Sequence, residues 1–232
     1  MPGLAPARSL PDAFPASTPS SAPALARRGF FASYHMHTIL GVGICDAGKS
    51  GYSKSPIYKS WVRMIERCYS PAYQALRPTY RDVQVDERWL TYSCFRDWAE
   101  SRYREGTALD KDIICPGNRI YGPEKCCFVP RSINNLLTTS SAKRGAYPLG
   151  VDLHKTERKF RARVWRNGAQ SFAGHFTNPE DAHRAWQQAK IAAIQAAIDA
   201  HPDLDQMALA GLRARIDAIT NDIRLGRQTL RV

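Results

Sequence analysis

YPLGVDLHKTERKFRARVWRNGAQSFAGHFTNPEDAHRAWQQAK, residues 147 to 190, is the stretch whose reading decides the fold of this chain. Lys159 to Trp165 alternates strictly, with Lys159, Arg161, Arg163 and Trp165 on one side and Phe160, Ala162 and Val164 on the other. Side chains two apart on a strand share a face, so the apolar set can bury while the basic set stays in water. Arg166-Asn167-Gly168-Ala169 follows, and Asn-Gly is favoured in tight hairpins because both central positions need positive φ. Gln170 to Phe176 reads as the returning strand. Leu149 to Leu153 reads as a third, joined to the middle one through the polar turn His154 to Arg158. Asn178-Pro179-Glu180-Asp181 is a helix start: Asn caps, Pro takes the first helical position, and the two acids meet the positive end of the helix dipole. Ala182, Ala185, Trp186, Ala189 and Ala193 then recur at helical spacing and can cover the sheet's apolar side.

The other side of that sheet is the candidate functional face. From Lys155 to Arg166 six basic residues stand against one acid, Glu157. A small twisted sheet can enter the major groove of B-DNA, where arginine forks pair with guanine edges and with phosphates. The same pattern also fits a merely solvated basic face, common in half-exposed antiparallel sheets.

A resemblance bears on that choice. Gly150-Val151, Phe160-Arg161-Ala162-Arg163-Val164, Gly174-His175-Phe176 and Glu180 to Trp186 resemble the DNA-binding domain of the Apetala-two/ethylene-response-factor family. In that family the first strand opens with Gly-Val, the third closes with Leu-Gly-x-Phe, and the helix carries Glu-Glu-Ala-x-x-Ala-Tyr. Here Ala173 replaces the Leu and Trp186 the Tyr. Asp152, Arg163, Trp165, Gln170 and Phe172 differ from the DNA-facing residues of plant members, so plant site preference does not carry over, whereas fold and groove-reading mode do. The expected contact set is His154, Lys155, Lys159, Arg161, Arg163, Trp165, Arg166, Gln170 and Phe172. Arg163 is expected on a base edge, and Lys155, Lys159 and Arg166 on phosphates. Trp165 and Phe172 are expected against thymine methyls or sugar rings.

The 232 residues carry a net charge of +12 with a pI near 9.7, which suits a polyanionic partner. The excess is spread along the chain, with 15 basic against 11 acidic residues over 30–140 and 10 against 5 over 141–200. No apolar run approaches the ~18–20 residues of a membrane span, which predicts a soluble, cytoplasmic protein. Residues 1 to about 28, rich in Pro, Ala and Ser, are expected to be disordered. Six cysteines without a C-x-x-C pair read as reduced thiols and not as a zinc site. Gly43 to Ser50 matches the phosphate-loop pattern G-x-x-x-x-G-K-S. The motif needs a helix starting at its Lys-Ser, and Gly51 to Pro56 is a poor helix former, so the match reads as coincidence. His35-x-His37 supplies two ligands, too few for a metal site.

Between Ile57 and Leu137 the order is helix, helix, strand, loop, strand, helix. Trp61 to Tyr69, Leu109-Asp110-Lys111-Asp112 and Tyr121 to Asn134 resemble phage proteins of the HNH-endonuclease-like kind. That resemblance implies a ββα nuclease core, in which a histidine deprotonates water beside a metal. No histidine lies between His37 and His154, and Asp110-Lys111 stands at the position of the base. Asp110, Asp112 and Asn134 are the remaining catalytic candidates. Lys125 near the metal position repels a cation. The module therefore reads as a degenerate scaffold that needs no cofactor to bind DNA. The alternative is a homing-like HNH endonuclease using Mg²⁺ or Mn²⁺, targeted by the same sheet.

Finally, Leu204, Met207, Leu212, Ile216, Ile219 and Ile223 form an apolar stripe on a helix starting at Pro202-Asp203 and ending near Gly226. It is expected to pack on the preceding helix, with a homodimer contact as the alternative reading. The whole chain thus reads as an α+β protein of phage or prophage type. Its expected parts are a tail (1–28), an HNH-like module (29–140), an Apetala-two-like sheet-and-helix domain (146–200) and an amphipathic helix (202–226). Double-stranded DNA is the expected partner, without a membrane role, and transcription regulation, packaging and mobility stay open as outputs.

Overall fold

A computed structural model describes residues 36–48, 52–138, 146–166 and 169–232. The proline-rich tail, His35, Lys49-Ser50 and the Asn167-Gly168 turn lie outside these residues. The described chain opens with a hairpin of β1 (His37–Ile39) and β2 (Gly43–Cys45). Leu40 and Gly41 turn it, both at positive φ (55° and 70°). Gly43, the first glycine of the phosphate-loop-like sequence, is thus a strand residue. A Cβ there would stand 3.1 Å from Trp61 and Ile65, so close packing is what holds it to glycine. Asp46, from the same sequence, accepts hydrogen bonds from Ser93 N (3.0 Å) and Ser93 Oγ (2.5 Å).

Helix α1 (Pro56–Tyr69) starts with proline in its first turn and buries Trp61, Met64, Ile65 and Cys68, a stripe at three- and four-residue spacing. Ser70 Oγ then accepts from Tyr73 N and starts a second short helix, α2 (Pro71–Leu76). Next come β3 (Gln84–Val85), α3 (Tyr92–Glu100), β4 (Thr107–Asp110), β5 (Ile120–Tyr121), β6 (Cys127–Pro130) and α4 (Arg131–Leu137). Strands β4 and β6 pair antiparallel from Thr107↔Pro130 to Asp110↔Cys127 and lead directly into α4, a strand–strand–helix unit. β3 pairs with β5 in parallel.

The C-terminal part is a three-stranded antiparallel sheet, β7 (Val151–His154), β8 (Lys159–Arg166) and β9 (Ala169–Phe176), in that order. It packs on α5 (Pro179–Asp199), which Asn178 caps by accepting from Asp181 N at 2.8 Å. Helix α6 (Gln206–Arg224) follows. It begins later than Pro202-Asp203, because Asp205 is the residue whose carboxylate takes the free amides of Met207 and Ala208. Its apolar stripe is covered within the chain. Ala208, Leu212 and Ile219 are at most 1% exposed, in one core with Trp186, Ala193 and Ile194 of α5.

Two hydrophobic cores meet at β6. Phe128 and Cys126 join a cluster of Trp61, Trp89, Tyr92 and Phe95. Cys127 and Val129 point the other way, into a cluster that also holds Ile133, Ala162, Trp186, Leu212 and Ile219. Strand alternation therefore feeds both cores from one element. The second core runs across the 140–146 boundary between the two expected modules. No helix of the described residues is long and apolar enough to cross a membrane.

Candidate nucleic-acid interface

Register places the outward residues of the sheet in rows. Asp152 lies opposite Arg161, which in turn lies opposite His175. His154 faces Lys159, Arg163 faces Phe172, and Trp165 faces Gln170. Behind them Ala162 and Val164 are 0% and 5% exposed, so α5 closes the inner side and leaves the outer one to solvent. Trp165 (45% exposed) and Phe172 (63%) present large apolar surfaces to water on that outer face. Single exposed aromatics are ordinary; two beside paired arginines on one sheet face fit a surface that stacks on or wedges against a partner.

The arginines are organised around one carboxylate. Arg161 donates to Asp152 through Nε (3.2 Å) and a terminal nitrogen (2.6 Å). Arg163 reaches the same carboxylate at 2.8 Å and donates to Gln170 Oε1 at 3.2 Å. Asp152 therefore fixes both guanidinium groups and offsets half of their charge. By contrast, the side chains of Lys155, Arg158, Lys159 and Arg166 form no ion pair among the described residues and stay exposed. Lys155 sits in the β7–β8 turn, beside the face. Arg166, at the end of β8, has the parity of Ala162 and Val164, so of the nine expected contact residues it alone falls on the helix-side row of the sheet.

Sequence periodicity missed part of the face. Ala162 pairs with Gly174 and Arg163 with Phe172, so Ala173 is an extra residue, a β-bulge in β9. Without it Phe172 and His175 would face opposite sides; with it both face outward. Gly174 takes φ 137°, a conformation L side chains rarely adopt, which is the one sequence sign of the bulge. His175 stacks on His154 at 5.8 Å, and Glu157 lies 2.9 Å from His175 Nδ1 and 3.7 Å from His154 Nδ1.

Asp110, Asp112 and Asn134, the catalytic candidates, line one cleft of about 410 Å³. The cleft lies between the loop after β4, helix α4, helix α6 and the C-terminal residues. Asp110 is committed locally: one carboxylate oxygen accepts the amides of Asp112 (2.7 Å) and Ile113 (2.8 Å). Burial pushes its carboxyl above the usual carboxylate range. Asp112 is held by Lys111 Nζ at 2.8 and 2.9 Å, and Lys111 also donates to Asn118 O at 2.7 Å. From α6, the buried Arg215 donates to the backbone carbonyls of Asp112 and Ile113. A divalent cation would meet one carboxylate with an oxygen already taken by two backbone amides, another paired with lysine, and a guanidinium alongside. This donor set does not fit Mg²⁺ or Mn²⁺. Arg119 reaches the cleft from the turn between the two quoted stretches, whereas Arg215 comes from α6 and Arg231 from the C-terminal segment, about a hundred residues from the motif, so sequence spacing carried no sign of those two.

Comparisons with family models, curated proteins and solved structures find no match to the chain.

Proposed function

We propose that this protein binds double-stranded DNA and reads its sequence by laying the outer face of β7–β9 in the major groove. The observation that carries this reading is the Asp152-anchored pair Arg161 and Arg163, flanked by solvent-facing Trp165 and Phe172 on the side that α5 leaves open. Fixed guanidinium forks suit guanine edges, which present two acceptors in the plane of the base. Lys155 and Lys159 at the rim suit phosphates, and Arg166 suits one beyond the hairpin end. The likeness of Gly150-Val151, Phe160 to Val164 and Glu180 to Trp186 to the Apetala-two family supports the same orientation. The strand–strand–helix unit of β4, β6 and α4 then serves as a scaffold without metal chemistry.

Arg161→Ala with Arg163→Ala tests the reading in a gel-shift titration against a selected site. Loss of two base-contacting forks predicts weakening of roughly a hundredfold or more. Wild-type affinity in the double variant refutes it. Duplex RNA is expected to compete poorly, because its deep, narrow major groove excludes a sheet. Supercoiled plasmid should stay unnicked with Mg²⁺ or Mn²⁺, and nicking abolished by Asp110→Ala would favour the nuclease instead.

A further inference from the structure

Four basic side chains line the cleft beside β4 against two acidic ones, and Val232, the last residue of the sequence, lines it too. Lys111, Arg119, Arg215 and Arg231 line it against Asp110 and Asp112. Lys111 is matched to Asp112. Arg215 is 5% exposed and satisfies backbone carbonyls, yet its Nε has no hydrogen-bond partner among the described residues. Arg119 gives one bond to Thr79 O (3.1 Å) and approaches Asp82 only to 4.0 Å. Arg231 makes no ion pair among the described residues. Its guanidinium lies on Gly117, where a Cβ would overlap it; φ at Gly117 is 78°. Asn134 also lines the cleft, and its side chain makes no hydrogen bond to the described residues.

We infer that this cleft is a second anion site, which takes a phosphate of a nucleotide between the Arg119 and Arg231 guanidinium groups, with the Asn134 amide on the wall beside it. Two exposed cations in one cleft, whose lining Arg215 and Lys111 already tie down, supply charge-assisted donors of the kind that phosphate oxygens accept. A cleft of about 410 Å³ is within the size range of small-ligand pockets. The inference does not rest on the groove-reading face, which lies on other elements, so either can fail alone.

The test is calorimetric titration of the full chain at low salt with three probes: 5′-phosphorylated thymidine dinucleotide, the same dinucleotide without its 5′-phosphate, and inorganic phosphate. The phosphorylated dinucleotide is expected to bind, and Arg119→Gln with Arg231→Gln to weaken it about tenfold, the loss expected for two exposed charge-assisted contacts. Both residues are exposed, so the double variant should fold; an unchanged thermal midpoint verifies this. The Arg161→Ala/Arg163→Ala variant should bind the dinucleotide as wild type does, which separates this site from the sheet. Equal binding of inorganic phosphate names free phosphate as the source and keeps the site. Binding of no probe, or binding indifferent to Arg119 and Arg231, overturns the inference.

Discussion

Replacing Asp152 by Asn isolates the device that organises the proposed reading face. The carboxylate takes Arg161 at 2.6 and 3.2 Å and Arg163 at 2.8 Å, so the three groups together carry one positive charge. The amide keeps the shape, removes the anion, and leaves two guanidinium groups free to seek phosphates. One more phosphate contact steepens the salt dependence of log K by about 0.9, equivalent to ~3.5-fold over a fourfold change in salt. Non-specific affinity at low salt should therefore rise several-fold. Sequence discrimination should move the other way. A fork no longer held in plane loses part of the roughly ten- to hundredfold preference that a bidentate arginine gives for guanine. The ratio of specific to non-specific affinity should fall by about tenfold. Because these side chains are only partly buried, folding should barely respond, with a thermal midpoint within ~2 °C of wild type. Fluorescence anisotropy with matched and scrambled duplexes, at four salt concentrations, measures slope and ratio together. An Asp152→Asn variant with both unchanged would refute the idea that Asp152 sets the arginines for reading.

Three further outcomes follow from the packing. Gly150 sits at φ 75°, and a Cβ there would overlap the Trp186 ring, so Gly150→Ala should cost roughly 3 kcal/mol in urea unfolding, from left-handed strain plus a clash in the core. Lys190 is buried with its amine pushed down to about 8 from 10.5. The unfolded chain takes up its proton below 10.5 and the folded chain only below about 8, so this residue's contribution to stability falls as pH drops from 10.5 to 8 and is flat beneath. Lys190→Met should remove that slope, readable as the difference between wild-type and variant urea midpoints at pH 8 and pH 10. His183 is buried between Leu149 O (2.9 Å from Nδ1) and the Thr229 amide, which donates to Nε2 at 2.9 Å. Burial lowers its pKa from 6.5, so the unfolded state gains a proton first and stability should drop as pH falls through 6.5 toward that lowered value. Nε2 must also give up its acceptor role. Thermal midpoints at pH 7.5 and 5.5 should converge in His183→Gln.

Strong local periodicity made the sheet-and-helix part readable. Arg161 and Arg163 alternate with Ala162 and Val164, Asn178 caps the helix it announces, and the alanine-tryptophan stripe of α5 covers the sheet. The β4–β6–α4 unit was likewise legible from short apolar runs. What escaped depends on partners distant in the chain. The bulge at Ala173 turns His175 outward through one extra residue, a shift that alternation rules exclude by construction. Asp152 as the anchor of two arginines depends on the β7–β8 register, which the four-residue turn at 155–158, with Arg158 at φ 52°, sets. Arg215 reaches Asp112 and Ile113 across more than a hundred residues, and no local signal encodes that contact.

The placement of α6 joins these observations. Its Gly211 lets the helix backbone approach the Ile113 carbonyl so closely that a side chain at that position would collide with it. Leu212 and Ile219 fill the core shared with α5, while Arg215 ties the loop that follows β4. A single helix thus clamps the strand–strand–helix unit to the sheet-bearing part. The apolar stripe that could have faced a second copy is occupied inside the chain. Two modules on a free hinge would engage two anionic surfaces independently, with the ordering cost of the linker falling on the second contact. Modules that share one core hold the sheet face and the arginine-lined cleft on a common frame, so a nucleic acid reaching both meets them already arranged. Loosening that frame with Gly211→Ala, which also disturbs Ile113 and Arg215 in the cleft, should therefore weaken binding of a long duplex more than binding of a minimal site to the sheet. Equal losses for the two ligands, measured by anisotropy on the same preparation, would show that the two surfaces act without a shared frame.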